Sequence, residues 1–158
     1  MTIDLNQICD KYGNRLYATA FSICKHPQDA EDVVQEALLR LYHTDKEFES
    51  EEHVKAWLIR VTVNAAKSTK RLFWNQNRTS YEDYMDSLQF EEPSDKTLMD
   101  EVLALPEKYR IVIHLHYFEE YKIKEIADIL KLSENTVKTR LFNGRKILKS
   151  RLEGWEDE

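Results

Sequence analysis

The chain has 158 residues, 42% of them hydrophobic, enough for a packed core in one ordinary domain or two small ones. Gly and Pro number only three each and alternating strand patterns are nearly absent, so a β architecture is excluded in favour of an all-α one. The formal net charge of −6 argues weakly against nucleic-acid binding until its distribution is read.

The N-terminal segment, MTIDLNQICDKYGNR, is polar and carries Asp4 and Asp10, unlike a signal or transit peptide. No apolar run is long enough to insert directly into a membrane. Cys9 and Cys24 have no zinc-like spacing with the histidines, so no metal or cofactor is expected, and a cytoplasmic chain with reduced thiols is.

Leu5, Ile8, Cys9, Tyr12, Leu16, Ala20 and Ile23 recur at helical spacing and predict a first helix that breaks near His26-Pro27. Pro27 suits the first position of the next helix, where its missing N–H costs nothing. Asp29, Glu31 and Asp32 then lie near the positive end of that helix dipole, and Ala30, Val33, Val34, Ala37, Leu38 and Leu41 form the apolar stripe. A polar loop over roughly 43–52 follows. A third helix is expected from about His53 to about Arg71, with Val54, Trp57, Leu58, Val61 and Ala65 on its core face. Arg60, Asn64, Lys67 and Arg71 are four, three and four residues apart and so stack along one other side.

The pattern decays through RLFWNQNRTS into an acidic stretch, and residues 75–95 read as a linker between domains at 1–74 and 96–154. A short helix near Thr97–Leu105 is expected to open the second half. Pro106 starts another, with Tyr109, Ile111, Val112, Leu115 and Phe118 available to pack. Ile123, Ile126, Ala127 and Leu130 mark a helix of two turns, KLS a tight turn, and Val137, Leu141, Leu148 and Leu152 the buried stripe of the last helix. Ser133 is placed to cap it. Lys131 occupies a turn position where Gly often supplies a left-handed conformation, at a cost of about 1 kcal/mol for Lys.

Charge is strongly segregated. Residues 53–80 carry Lys55, Arg60, Lys67, Lys70, Arg71 and Arg78 and no acid, and residues 122–151 carry nine Lys/Arg against Glu125, Asp128 and Glu134. Acidic segments at 28–52 and 82–101 separate them. Two basic blocks suit two anionic contact surfaces, though solvated helix faces would look the same by charge alone.

IKEIADILKLSENTVKTRL has the form of a helix-turn-helix: a short helix, a turn and a longer polar helix, with small Ala127 allowing a close crossing. The outward face of the second helix holds Asn135, Lys138, Thr139, Phe142, Asn143 and Lys146. Lys can donate to guanine acceptors, Asn can pair with adenine, and Thr or Phe can touch a thymine methyl. Arg140, Arg145 and Lys149 are better placed for phosphates or a protein partner. In AWLIRVTVNAAKSTKRLFWNQNR, the basic face followed by Phe73, Trp74 and Asn75 suits a single strand, with cations tracking the backbone and aromatics stacking on bases. Core packing at the helix end is the plainer role for Phe73 and Trp74.

DAEDVVQE, AWLIRVTVNAAK and LPEKYRIVIHLHYFEEYKIKEIADILKLSENTVKTRL, in this order, resemble the extracytoplasmic-function sigma factors of the sigma-70 family over roughly residues 10–152. The resemblance implies an N-terminal region 2 bundle of three-helix type and a C-terminal region 4 helix-turn-helix. It implies that Asp32, Gln35, Glu36 and Arg40 dock on the β′ clamp of core RNA polymerase, and that region 4 also touches the β flap. Arg60, Asn64, Lys67, Ser68 and Arg71 would face the minus-ten element of promoter DNA. Asn135, Lys138, Thr139, Phe142, Asn143 and Lys146 would face the minus-thirty-five element. An anti-sigma factor, often at the membrane, is a further implied partner, and no catalytic activity is. His53 departs from an apolar or aromatic residue common in the family, and Asn143-Gly144 from a frequent Arg-Ala pair.

Two other readings compete. A stand-alone helix-turn-helix regulator explains the C-terminal block but not the Arg60, Asn64, Lys67 and Arg71 face. A hydrolytic enzyme finds no P-loop, metal cluster or Ser/His/Asp set in support.

Overall fold

A computed structural model describes residues 2–73 and 93–152, with side chains described for 2–69 and 98–152. Described residues form seven α-helices and no strand: α1 (Leu5–Cys24), α2 (Pro27–His43), α3 (Glu51–Phe73), α4 (Pro93–Leu103), α5 (Glu107–Ile113), α6 (Ile123–Leu130) and α7 (Glu134–Arg151). The chain divides into two compact units, Met1–Thr79 and Ser80–Glu158. Most of the segment expected as an acidic linker lies outside the described residues.

In the first unit, α1, α2 and α3 each pack against the other two. The Asp4 carboxylate caps α1 by accepting from the Asn6 and Gln7 N–H groups at 3.1 and 3.3 Å. Lys25 ends the helix in the left-handed conformation, at φ 54°, just before Pro27 opens α2. Leu16, Ala20, Phe21 and Ile23 from α1 and Ala30, Val33 and Ala37 from α2 are buried almost completely. Cys9, grouped with the apolar positions by spacing, is exposed. Val34 and Leu38 are half-buried at the edge of the α2 stripe.

The core face of α3 differs from the expected stripe. Val54, Leu58 and Ala65 are buried as anticipated, but Trp57 and Val61 are only half-buried. Ile59, Thr62, Val63 and Ala66 are buried instead. The reason is topological: α3 touches both other helices, so about half its circumference is covered rather than one narrow strip. Phe48, from the loop before α3, is also buried and sets its ring edge-on to Trp57 at 5.7 Å.

In the second unit, α4 begins at Pro93 rather than Thr97, consistent with proline's fitness for a first helical position. It ends at Leu103 because Leu105, preceding Pro106, is steered away from helical backbone. α5 does not run on as a regular helix. Residues His114–Phe118 form a π turn, closed by Glu119 N–H donating to His114 O at 3.1 Å. The Arg110 guanidinium is buried and donates to Leu105 O at 2.7 Å, tying α5 to the turn before it. Ile111, Val112, Ile113 and Leu115 are buried, while Tyr109 and Phe118 are half-buried.

α6 and α7 are joined by a short turn in which Lys131 takes the left-handed conformation, at φ 58° and ψ 48°. The Ser133 hydroxyl accepts from Thr136 N–H at 3.1 Å and so caps α7. Val137, Leu141, Gly144 and Leu148 form the buried face of α7, and Leu152 lies just past the helix end, half-buried.

Gly144 is a packing residue. A Cβ there would lie 3.1 Å from Ile113 Cγ1 and 3.4 Å from Tyr109 Cβ, so its absence lets α5 and α7 approach closely.

Candidate nucleic-acid interfaces

The faces of α2, α3 and α7 opposite their buried stripes hold the charged positions. On α2, Asp32, Gln35, Glu36 and Arg40 are all exposed. Gln28 Nε2 donates to Asp32 Oδ1 at 3.1 Å, and Arg40 Nη2 donates to Glu36 Oε2 at 3.2 Å, so the polar groups brace one another along the helix. Leu39, 57% exposed, and Tyr42, 69% exposed, lie among them. Sequence reasoning passed over both. The available signal was that neither fits the Ala30, Val33, Ala37 and Leu41 stripe.

On α3, Asn64 and Ser68 are exposed and Arg60 and Lys67 half-buried. Helical geometry puts Arg60, Asn64 and Lys67 on one side, away from the buried half. The Arg71 side chain lies outside the described residues, as do Trp74 and Asn75 entirely. At the start of this helix, His53 has a structural part: its Nδ1 accepts from Glu49 N–H at 3.2 Å, and its own N–H donates to Ser50 Oγ at 3.1 Å.

The start of α3 is also tied to α1. Glu51 Oε2 accepts from Tyr12 OH at 2.8 Å and from the Lys11 ammonium. These two hydrogen bonds, Lys11's the stronger, hold the Glu51 carboxyl below its ordinary pKa, and the same bond raises that of Lys11. Burial, then the Glu51 bond, pushes the Tyr12 hydroxyl up.

On α7, Asn135, Lys138, Thr139, Phe142 and Lys146 are exposed, Phe142 by 59%, and Asn143 is half-buried beside them. Phe142 is the large apolar side chain exposed among the amides and cations of this face. Arg145, whose Nη1 donates to Tyr117 OH at 3.1 Å, is turned toward the π turn instead. On the other flank an open cleft of about 310 Å³ separates α7 from the start of α5. Lys108 and Tyr109 form one wall; Asn135, Thr136, Thr139, Arg140 and Asn143 form the other.

The described residues hold no His, Cys, Asp or Glu group placed to bind a metal, and no helix long and apolar enough to cross a membrane.

Residues 8–73 match the family described as Sigma-70 region 2, and residues 96–148 match Sigma-70, region 4. The chain is 30% identical to the ECF RNA polymerase sigma factor SigW of Bacillus subtilis, over 92% of this chain and 87% of SigW. It is 32% identical to SigM of the same organism, over 95% of this chain and 94% of SigM. A similar fold occurs in the sigma factor RpoE of Bartonella quintana, solved with the anti-sigma factor NepR. That likeness has a TM-score of 0.75 at 21% identity and covers 96% of this chain and 98% of RpoE. The region 2 match accounts for the N-terminal unit that a stand-alone helix-turn-helix regulator leaves unexplained. The chain belongs to the sigma-70 family, in its extracytoplasmic-function branch, and is an RNA polymerase sigma factor of transcription initiation.

Proposed function

We propose that the protein brings core RNA polymerase to the promoters of a stress or envelope regulon by dividing the work among three helix faces. The exposed face of α2, with Asp32, Gln35, Glu36 and Arg40 around Leu39, docks on the β′ clamp. Leu39 supplies an apolar anchor and the charged pairs supply register. Arg60, Asn64, Lys67, Ser68 and Arg71 hold the minus-ten element as its strands part. Unstacking a base there costs a few kcal/mol, which phosphate and pocket contacts on this face offset. Asn135, Lys138, Thr139, Phe142, Asn143 and Lys146 read the minus-thirty-five element as intact duplex, and region 4 also meets the β flap. The protein acts in the cytoplasm, makes no covalent change to its substrates and is restrained by an anti-sigma factor, the kind of partner seen with RpoE of Bartonella quintana.

The observation that carries this reading is that two separate compact units each present one polar, cation-bearing helix face opposite a buried stripe. Sequencing of transcripts made by core polymerase with and without the protein tests it. Transcripts starting a fixed distance downstream of two shared elements are expected only in its presence; start sites unchanged by the protein would overturn the reading.

A further inference from the structure

The junction of the α2–α3 loop with α3 holds a titratable contact that the three faces do not use. Ser50 caps α3: its hydroxyl accepts from His53 N–H at 3.1 Å and its carbonyl from Val54 N–H at 3.2 Å. His53 answers from the third helical position, its Nδ1 accepting from Glu49 N–H at 3.2 Å. The arrangement is a variant of the capping box, in which Glu or Gln ordinarily reaches back from that position. It also gathers an aromatic seam. The imidazole lies edge-to-face with the buried Phe48 ring at 5.1 Å, and Phe48 with Trp57, one turn along α3, at 5.7 Å. One side chain thus fastens the loop to the first turns of α3, just ahead of Arg60.

No charged side chain pairs with the imidazole among the described residues. In the loop, Asp45, Lys46, Glu47 and Glu49 are exposed. On α3, Glu52 is exposed, Lys55 is half-buried and Glu51 is engaged by Lys11 and Tyr12 of α1. At the end of α2, His43 lies against Tyr42. Nδ1 can accept only while the imidazole is neutral, with its proton on Nε2. A Glu in this place would stay an acceptor down to about pH 4, whereas imidazoles in general titrate between about pH 5 and 8. Proton uptake turns Nδ1 into a donor facing the Glu49 N–H. It also sets a positive charge at the positive end of the α3 dipole. The contact therefore stabilises the neutral form and is lost as pH falls through the imidazole range.

We infer that His53 is a proton-released latch: neutral, it holds the α2–α3 loop on α3, and protonated, it releases it. Its effect on transcription rests on the reading that the α3 face holds the minus-ten element, because the latched turns lead directly into Arg60 and Asn64.

The test compares three full-length proteins. His53→Asn supplies an amide oxygen as acceptor at every pH, and His53→Phe keeps a ring but removes the acceptor. Amide exchange at Glu49, corrected for the intrinsic effect of pH, is measured at about pH 8 and about pH 5, on either side of the imidazole range. Wild-type protection should fall about three- to tenfold in acid, the worth of one hydrogen bond. His53→Asn should stay protected at both, and His53→Phe should be unprotected at both. Equal wild-type protection at both, or an equal acid loss in His53→Asn, refutes the latch. Nitrogen shifts of the wild-type ring in alkali should place its proton on Nε2; a proton on Nδ1 contradicts the inference. Run-off transcription by holoenzyme on duplex template then reads the consequence. On acidification wild type should lose about threefold relative to His53→Asn, and a pre-melted minus-ten element should remove the difference. If the exchange results hold but both proteins transcribe alike at both pH values, the latch has no part in promoter opening and the inference is wrong there. If Asn64→Ala also opens duplex normally, the placement of the minus-ten element on α3 fails instead, and the exchange results stand apart from it.

Discussion

Single residues carry costs that set where the fold can be improved or weakened. Lys131 is held in the left-handed region at φ 58°. Glycine there would relieve about 1–2 kcal/mol of steric cost and give back about 0.5–1 kcal/mol in unfolded-chain entropy. Lys131→Gly should therefore slow amide exchange across α6 and α7 by a net gain of about 0.5–1 kcal/mol. Glu51 works through pH. Its carboxyl is held below the ordinary value of 4.5 by Lys11 and Tyr12, so its stabilising effect is complete above that value and disappears as pH falls through the lower, folded one. Lys11, with its pKa raised, contributes fully below 10.5 and loses its effect as pH rises through the higher folded value. In an acid titration of the α1–α3 unit, Glu51→Gln should start less stable at neutral pH and show a shallower loss below pH 4.5 than wild type.

At the scale of helices, how much of a helix's circumference its neighbours cover decides what a periodic pattern means. α7 meets α4, α5 and α6 along a single stripe, and its buried positions Val137, Leu141 and Leu148 are the ones spacing predicts. α3 packs on two sides, so a single-stripe reading finds Leu58 but misses Ile59, Val63 and Ala66. Phe48 escapes because a loop residue has no periodicity to betray its burial. The π turn after α5 escapes because its hydrogen-bond shift leaves no residue signature in HLHYF. Gly144 misleads most. Read locally it is a helix defect of about 1 kcal/mol, whereas its lack of a Cβ is what lets α5 approach. Gly144→Val should destabilise the second unit by about 1–3 kcal/mol through overpacking, visible as a lower urea midpoint for that unit. Of the six α7 positions expected to face DNA, five are exposed, while Asn143 is half-buried and lines the cleft. A wheel of the sequence places the face but not the wall that α5 builds beside it.

Over the whole molecule, a net charge of −6 is concentrated away from the two basic blocks. Acidic groups at 28–52 and 82–101 repel phosphates at long range, so the free chain should bind promoter DNA poorly, and core polymerase should relieve this by engaging the acidic face of α2. Filter binding checks it: weak retention alone, strong retention with core polymerase, and nanomolar retention without polymerase as the contrary outcome. The central claim is that one cationic surface holds an opened strand and the other reads closed duplex. Run-off transcription on matched duplex and pre-melted templates compares wild type, Asn64→Ala and Lys138→Ala most directly. On duplex, Asn64→Ala should lose about five- to tenfold, roughly the worth of one hydrogen bond, and a pre-melted minus-ten element should restore it. The Lys138→Ala defect should persist on both templates. Equal rescue of both variants by melting, or of neither, would contradict the assignment.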